Sequence, residues 1–390
     1  MIFTVQKDNT IDNLILSHIK EVVERIIMYT KNPLAIVLIG GYSRGEGSVI
    51  RENGEIVPLG DYDFMVIVNS PIARGKEVHL DDLAKKFGIG HIDVSFYWNA
   101  LLPYVLKKIF WYELKFGSTL LAGSRNVLQA IPISGSRDID RSEGINLMFN
   151  RLDGLLRNFH PRFFARQPSS SSIQRILVFE STKSILACGD SLLVLSHKYH
   201  YSYRKRAEII EEVASLDHGD FLETNPRFLQ DYEEATDFKL NPDFGKIKDP
   251  VSHWMTARSY LLQGIVYYLK RHAGFETTNQ NQLPSALLSL SKFGLRDYLS
   301  YNFLSDRKAK PIGTLFKMKR SFSDTVRGSL FLLASAVKEE GVDSDLVDRA
   351  MKLIGEISYV DRETARELDI FQSWILARNT IDRAWVSTSR

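Results

Sequence analysis

Three acidic residues stand out by type and spacing. Asp61-Tyr62-Asp63 opens the run Phe64-Met65-Val66-Ile67-Val68, which reads as a strand, and at period two both carboxylates point to one face. Two carboxylates that close raise one another's pKa unless a cation lies between them. A hard divalent ion such as Mg²⁺ takes one or two carboxylates plus substrate phosphates. The plainer alternative is a solvated pair at a strand start. Asp93 lies in His91-Ile92-Asp93-Val94-Ser95, where Val94 and Phe96 would face the core and Asp93 the opposite side. If that strand adjoins the first, three carboxylates converge on one spot. Such a cluster suits two ions about 4 Å apart, an arrangement that serves phosphoryl and nucleotidyl transfer.

A glycine turn precedes them. Leu34 to Ile39 is a short β-branched run, read as a buried strand, and it ends at Gly40-Gly41 ahead of Tyr42-Ser43-Arg44-Gly45-Glu46. Glycines there let the backbone approach a ligand, and exposed N–H groups at a helix start suit a phosphate. A simple tight turn is the alternative. Nineteen residues, 42–60, separate Gly41 from Asp61, which fits an insertion whose Asn53-Gly54 marks a hairpin. Gly47-Ser48 is a second candidate for the turn, and Ser48 would then reach the phosphates. Gly40-Gly41 is preferred, because an apolar strand directly precedes it.

Taken together, the glycine turn, the Asp-x-Asp strand and the third carboxylate resemble the polymerase-β-type nucleotidyltransferase superfamily. The stretch Gly40-Gly41-Tyr42-Ser43-Arg44-Gly45-Glu46 is similar to the form found in small nucleotidyltransferases, including aminoglycoside-modifying and regulator-uridylylating enzymes. The resemblance spans residues 34–98. It implies that Gly40 and Gly41, with Ser43 and Arg44 beside them, bind a triphosphate, and that Asp61 and Asp63 hold two Mg²⁺ ions. Asp93 would complete the catalytic metal site and help deprotonate the attacking hydroxyl. A helical bundle commonly follows such a head and offers a Lys, often also a Tyr, to the nucleotide. Lys183 is the candidate here, with Tyr199 and Arg204 weaker ones. A surface lysine is the alternative. Tyr112-Glu113-Leu114-Lys115 is similar to a stretch after the third carboxylate, and Glu113 receives no role.

Positioning these groups requires helix, strand, glycine turn, strand, helix, strand over the first hundred residues. Apolar positions from Ile11 to Ile27 recur at helical spacing behind possible caps at Asp8, Asn9 and Thr10. Residues 80–87 give a short helix between the strands Tyr62–Val68 and Ile92–Trp98. Beyond residue 140 strand signals nearly vanish. Helices are expected over 142–159, 173–197, 203–216, 251–272, 323–340, 343–357 and 361–387. The fold class is therefore α+β: an α/β head with a mixed sheet, then a mostly helical body. Three successive domains are expected, 1–140, 141–245 and 246–390.

Composition supports a globular chain: 44% of residues are apolar and 25% charged. The net charge of +3 does not announce a nucleic-acid binder. A single cysteine, Cys188, excludes an internal disulfide and a cysteine-based zinc site. Neither a secretory signal nor an apolar run of about 18 residues, the length that spans a bilayer, is seen, so a cytoplasmic protein is expected. Arg307, Lys308, Lys310, Lys317, Lys319 and Arg320, with Phe316 and Phe322, form a basic cluster that reads as a solvated helix face or an anion site. His197 and His200 read as surface residues, and Trp254, Trp374 and Trp385 as core.

The expected activity is transfer of a nucleoside monophosphate, AMP by first choice, from ATP or another NTP to a hydroxyl, with release of pyrophosphate. The acceptor would be a small molecule or a protein side chain, or else an RNA end. Two alternatives stand beside it. One is a non-catalytic nucleotide-binding regulatory module. The other is a defence- or antitoxin-type nucleotidyltransferase that modifies a protein or tRNA.

Overall fold

The computed structural model describes residues 1–30, 32–70, 79–165, 167–168, 170–274, 322–357 and 368–389. The basic positions 307–320 lie outside them. The chain forms two compact units, residues 1–143 with 192–246 and residues 144–191 with 247–390. This division differs from three successive domains, because residues 192–246 return to the head. The crossing at 191/192 falls inside one continuous helix, Ser171–Leu195. Gly189 alone lies near it; no Pro or loop composition marks such a crossing in sequence.

In the first unit, helix α1 (Asn9–Tyr29) starts at Asp8, whose carboxylate accepts from the Thr10 amide. Strand β1 (Ala35–Ile39) leads into the four-residue turn α2 (Gly40–Ser43). A hairpin follows, β2 (Ser48–Glu52) and β3 (Glu55–Leu59), closed by Asn53 and Gly54 at φ +52° and +86°. Two positive-φ residues make the two-residue turn whose twist matches paired strands. Next come β4 (Tyr62–Val68), α3 (Asp81–Phe87), β5 (Ile92–Trp98), α4 (Ile109–Gly117) and β6 (Thr119–Gly123). The sheet order is β5-β4-β1-β6, with β4 and β5 parallel and the other pairs antiparallel.

The apolar stripe of α1, Ile11, Ile15, Ile19, Val22 and Ile26, packs on Ile36, Leu38, Phe64, Val66 and Val68. Each fully buried aliphatic side chain contributes about 2 kcal/mol. This burial fixes the register of β4. Even positions go to the helix, so odd positions, Asp63 among them, go to the other face.

Helix α5 (Ser142–Arg157) begins at the edge of the first unit and runs into the second, and α6 (Ser171–Leu195) makes the return crossing. The first unit is completed by α7 (Tyr203–Asp217), α8 (Gly219–Thr224) and α9 (Phe228–Leu240). The remaining elements of the second unit are α10 (Pro250–Ala273), α11 (Phe322–Ala336), a two-residue pair of strands β7 (Val337–Lys338) and β8 (Gly341–Val342), α12 (Ser344–Ile357) and α13 (Ile370–Ser389). Trp254 stacks on Phe159 with ring centres 3.6 Å apart and donates to the Leu155 carbonyl, while Trp374 donates to that of Leu333. With Trp385 these are core residues, as expected. Helix α4, strand β6, and helices α8 and α9 had no clear sequence signal. The architecture is α+β, a small mixed sheet with a largely helical remainder. Among the described residues no helix is long and apolar enough to cross a membrane.

Candidate active site

Asp63 and Asp93 are direct register partners on the parallel strands β4 and β5. Register partners on parallel strands point to the same face, so the two side chains stand next to each other. Asp63 is half-buried on the inner strand and Asp93 exposed on the edge strand. Both border a pocket of about 270 Å³, together with Ile39, Gly40, Phe64, Ser95, Phe110, Glu113 and Leu114. Gly40 has φ +78°, and a Cβ there would sit 3.1 Å from an Asp63 carboxylate oxygen. Glycine at 40 thus serves both the left-handed turn and the open approach to Asp63.

Asp61 does not border this pocket. Strand β4 begins at Tyr62, just after Gly60 at φ +87°, so period-two alternation does not extend back to Asp61. Its exposed carboxylate points toward Gly90, where an added Cβ would be 3.3 Å away. Among the described residues no three His, Cys, Asp or Glu side chains are gathered closely enough to hold a metal ion. The expected convergence of three carboxylates reduces, in this geometry, to the pair Asp63 and Asp93.

The other residues of the glycine turn are engaged in structure. A Cβ on Gly41 would lie 2.9 Å from the Glu46 carbonyl oxygen. The Ser43 hydroxyl lies 2.7 Å from the carbonyls of Gly40 and Gly117, and the Ser43 carbonyl accepts from Thr119. Ser48 is buried, donates to the Lys239 carbonyl at 2.6 Å and accepts from the Lys239 ammonium at 3.0 Å. Neither hydroxyl is presented to the pocket. Lys183 belongs to the second unit, where its ammonium pairs with Glu180 at 3.0 Å and lies over the Phe179 ring. His197 accepts from Arg141, and His200 accepts from the Ser202 amide. Burial first, then nearby arginines, hold both imidazoles below their usual range.

Arg44 turns away from the pocket into a buried polar network. Its guanidinium, 5% exposed, pairs with Glu113 at 3.1 Å and lies 3.8 Å from Glu46. The Glu46 carboxylate accepts from the Ser202 hydroxyl at 2.6 Å and from the amides of Tyr203 and Arg204 at 3.0 and 3.2 Å. It thereby satisfies the first N–H groups of α7 and complements the positive end of its dipole. Arg204 contributes a backbone amide here and Tyr199 a buried hydroxyl, which donates to Glu113 at 2.7 Å and accepts from Arg206 at 2.5 Å. Arg206 is 1% exposed and stacks on Tyr203 at 4.0 Å.

Glu113 joins this network to the pocket. Burial acts to raise its carboxyl, but Arg44, Arg206 and the Tyr199 hydrogen bond outweigh that and hold it below the usual carboxylate range. Sequence reading gave Glu113 no role. Its one signal was the likeness of Tyr112-Glu113-Leu114-Lys115 to a stretch after the third carboxylate, and its partners lie as far as 93 positions along the chain. Compared with protein-family models and with curated proteins, the chain matches none.

Proposed function

We propose that the chain is a metal-dependent nucleotidyltransferase, moving a nucleoside monophosphate from an NTP, ATP by first choice, to a hydroxyl acceptor with release of pyrophosphate. The observation that supports this reading most is the pairing of Asp63 with Asp93 on adjacent strands at one pocket, beside a glycine whose missing side chain leaves the Asp63 carboxylate open. The donor set fits Mg²⁺, which takes one or two protein carboxylates and fills its octahedron with phosphate and water oxygens. When bound, Mg²⁺ offsets charge on the phosphates and on the attacking and leaving oxygens. Asp63, fixed by a strand packed on α1, orients the phosphate end. Asp93, on the open edge strand, is placed to accept the proton of an incoming hydroxyl. Gly40 admits the triphosphate to van der Waals distance.

The test is Mg²⁺-dependent pyrophosphate release from each of the four NTPs, with label from α-labelled nucleotide followed into small-molecule, protein and RNA fractions of a cell extract. Asp63→Asn and Asp93→Asn should each lower the rate about a hundredfold or more, the loss expected when a pre-positioned charge at the reacting phosphate is removed. Wild-type protein that releases no pyrophosphate from any NTP defeats the proposal. A non-catalytic nucleotide-binding module is the second reading, favoured by the position of Asp61 away from the pocket. It would appear as Mg²⁺-dependent nucleotide binding without turnover.

A further inference from the structure

We infer that Glu113 is the sugar-recognising residue of this pocket, its carboxylate accepting a hydrogen bond from a ribose hydroxyl of the bound nucleotide. The inference rests on the nucleotide reading above. It starts from an asymmetry in the Glu113 contacts. Arg44 and Tyr199 both engage Oε1. Among the described residues no hydrogen bond reaches Oε2, and the side chain, 25% exposed, borders the pocket.

The charge of Glu113 is already matched by Arg44 and Arg206. A cationic ligand therefore gains little there, whereas a neutral O–H donor gains a charge-assisted bond. A carboxylate held below its usual pKa is also a weak base. Its chemistry in the neutral range is to accept hydrogen bonds, not protons. Glu113 forms no metal-binding group with Asp63 and Asp93. That leaves it to contact the organic part of the ligand.

Size supplies the last step. At about 270 Å³ the pocket is near the small end of ligand sites, so the groups bordering it face one small molecule. With the phosphates drawn to Asp63 and Asp93, the next part of a nucleotide is its sugar. The wall there comes from α4, with Phe110 and Leu114 offering apolar surface and Glu113 the acceptor. Arg44 is a positioning residue, acting through Glu113.

The test measures Mg²⁺-dependent binding of α,β-methylene-ATP and of its 2′-deoxy and 3′-deoxy counterparts to the full chain by calorimetry. Wild type should prefer the ribonucleotide over one of the deoxy analogues by about ten- to a hundredfold, the range of a hydrogen bond to a charged group. Glu113→Gln should abolish that preference while still binding the deoxy analogue as wild type does. A general loss of structure would weaken all three ligands alike, so the ratio reports the contact. Glu113→Asp, which keeps the charge but withdraws it by one methylene, should narrow the ratio in the same direction if the glutamine variant does not fold. Undiminished discrimination in either variant, or a wild type blind to both hydroxyls, overturns the role of Glu113 and leaves the nucleotide reading intact. Failure of wild type to bind any of the three defeats the nucleotide reading itself.

Discussion

Two carboxylates, one in each unit, are wholly or partly buried beside an arginine and yet are shifted in opposite directions. Glu113 in the first unit is held below its usual range, and Asp153 in the second is raised to about 6. Asp153 accepts from Arg157 at 2.7 Å, as short a contact as any that Glu113 makes. Distance to the nearest cation therefore does not explain the difference. Arg157 is 48% exposed and is shared with Asp382 at 2.9 Å, and Glu180 adds a third acidic neighbour. Burial of Asp153 then dominates. Glu113 is faced by two nearly inaccessible arginines and a tyrosine hydroxyl. A buried carboxylate stays ionised when cations outnumber anions around it and are themselves shielded from water. That condition is met beside the pocket and not in the helical unit.

Removing a cation from the first region should produce the largest effect. Arg44→Met leaves Glu46 and Glu113 with one fewer partner in a site almost closed to water. Breaking a buried pair from one side costs about 3–5 kcal/mol. Thermal or urea unfolding of the variant should show a loss of that size. A loss below about 1 kcal/mol, the value of an exposed pair, would mean that water reaches the network and that the comparison fails.

Next in size is the pH response of the second region. The folded pKa of Asp153, about 6, lies above the ordinary 3.8, so its contribution is fully present below about pH 4. It is lost as pH rises through 6. A rise of about two units corresponds to roughly 3 kcal/mol between the two limits. Wild type should therefore lose more stability between pH 5 and pH 7.5 than Asp153→Asn does, measured by melting the two proteins side by side. Equal losses would place the titration elsewhere. Glu113 has the opposite sign: its contribution is present at neutral pH and fades only as pH falls below the usual carboxylate range.

A third, smaller effect tests the packing that carries the network. Gly47 lies under the Tyr42 ring, and a Cβ there would come within 2.1 Å of a ring carbon. Tyr42 is buried, donates to the Ser48 carbonyl and meets Tyr62 edge to face. Gly47→Ala should cost about 1–3 kcal/mol by overpacking. Gly54→Ala, in open space at φ +86°, should cost about 1 kcal/mol from the left-handed backbone alone. Comparing the two by unfolding separates steric cost from backbone cost.

The sequence made the local parts of this site readable and hid the tertiary ones. Tyr62–Val68 was legible as a continuous apolar run ending in β-branched residues, and Ile92–Trp98 because Asp93 and Ser95 alternate with Val94 and Phe96. Asn53-Gly54 disclosed the hairpin because few other dipeptides adopt two positive φ angles. Asp61 was misplaced by a single residue: the alternation rule was applied one position before the strand begins. Arg44 and Ser48 were assigned to phosphate because a motif names residue types without saying which way they turn. The Glu113 network was illegible, since its pairings join residues 69, 86 and 93 positions apart, and no periodicity records them. Strand β6 was missed for a related reason. It is a half-buried edge strand of five residues, so neither a continuous apolar run nor a clean alternation marks it.

The smallest expected effect divides the Glu113 environment into its parts. Tyr199→Phe removes one neutral donor from Oε1 and one acceptor from Arg206, and leaves both guanidinium groups in place. If cations are what hold Glu113 ionised, its titration stays below the usual carboxylate range, and stability falls by about 1–2 kcal/mol for the hydrogen bonds alone. Carboxyl ¹³C chemical shifts of glutamate-labelled protein, followed from pH 3 to 7, report that titration directly. If Glu113 instead moves above the usual range, the hydroxyl outweighs the arginines. The contrast with Asp153 would then rest on hydrogen bonding, because among the described residues Asp153 is bonded by Arg157 and not by a tyrosine.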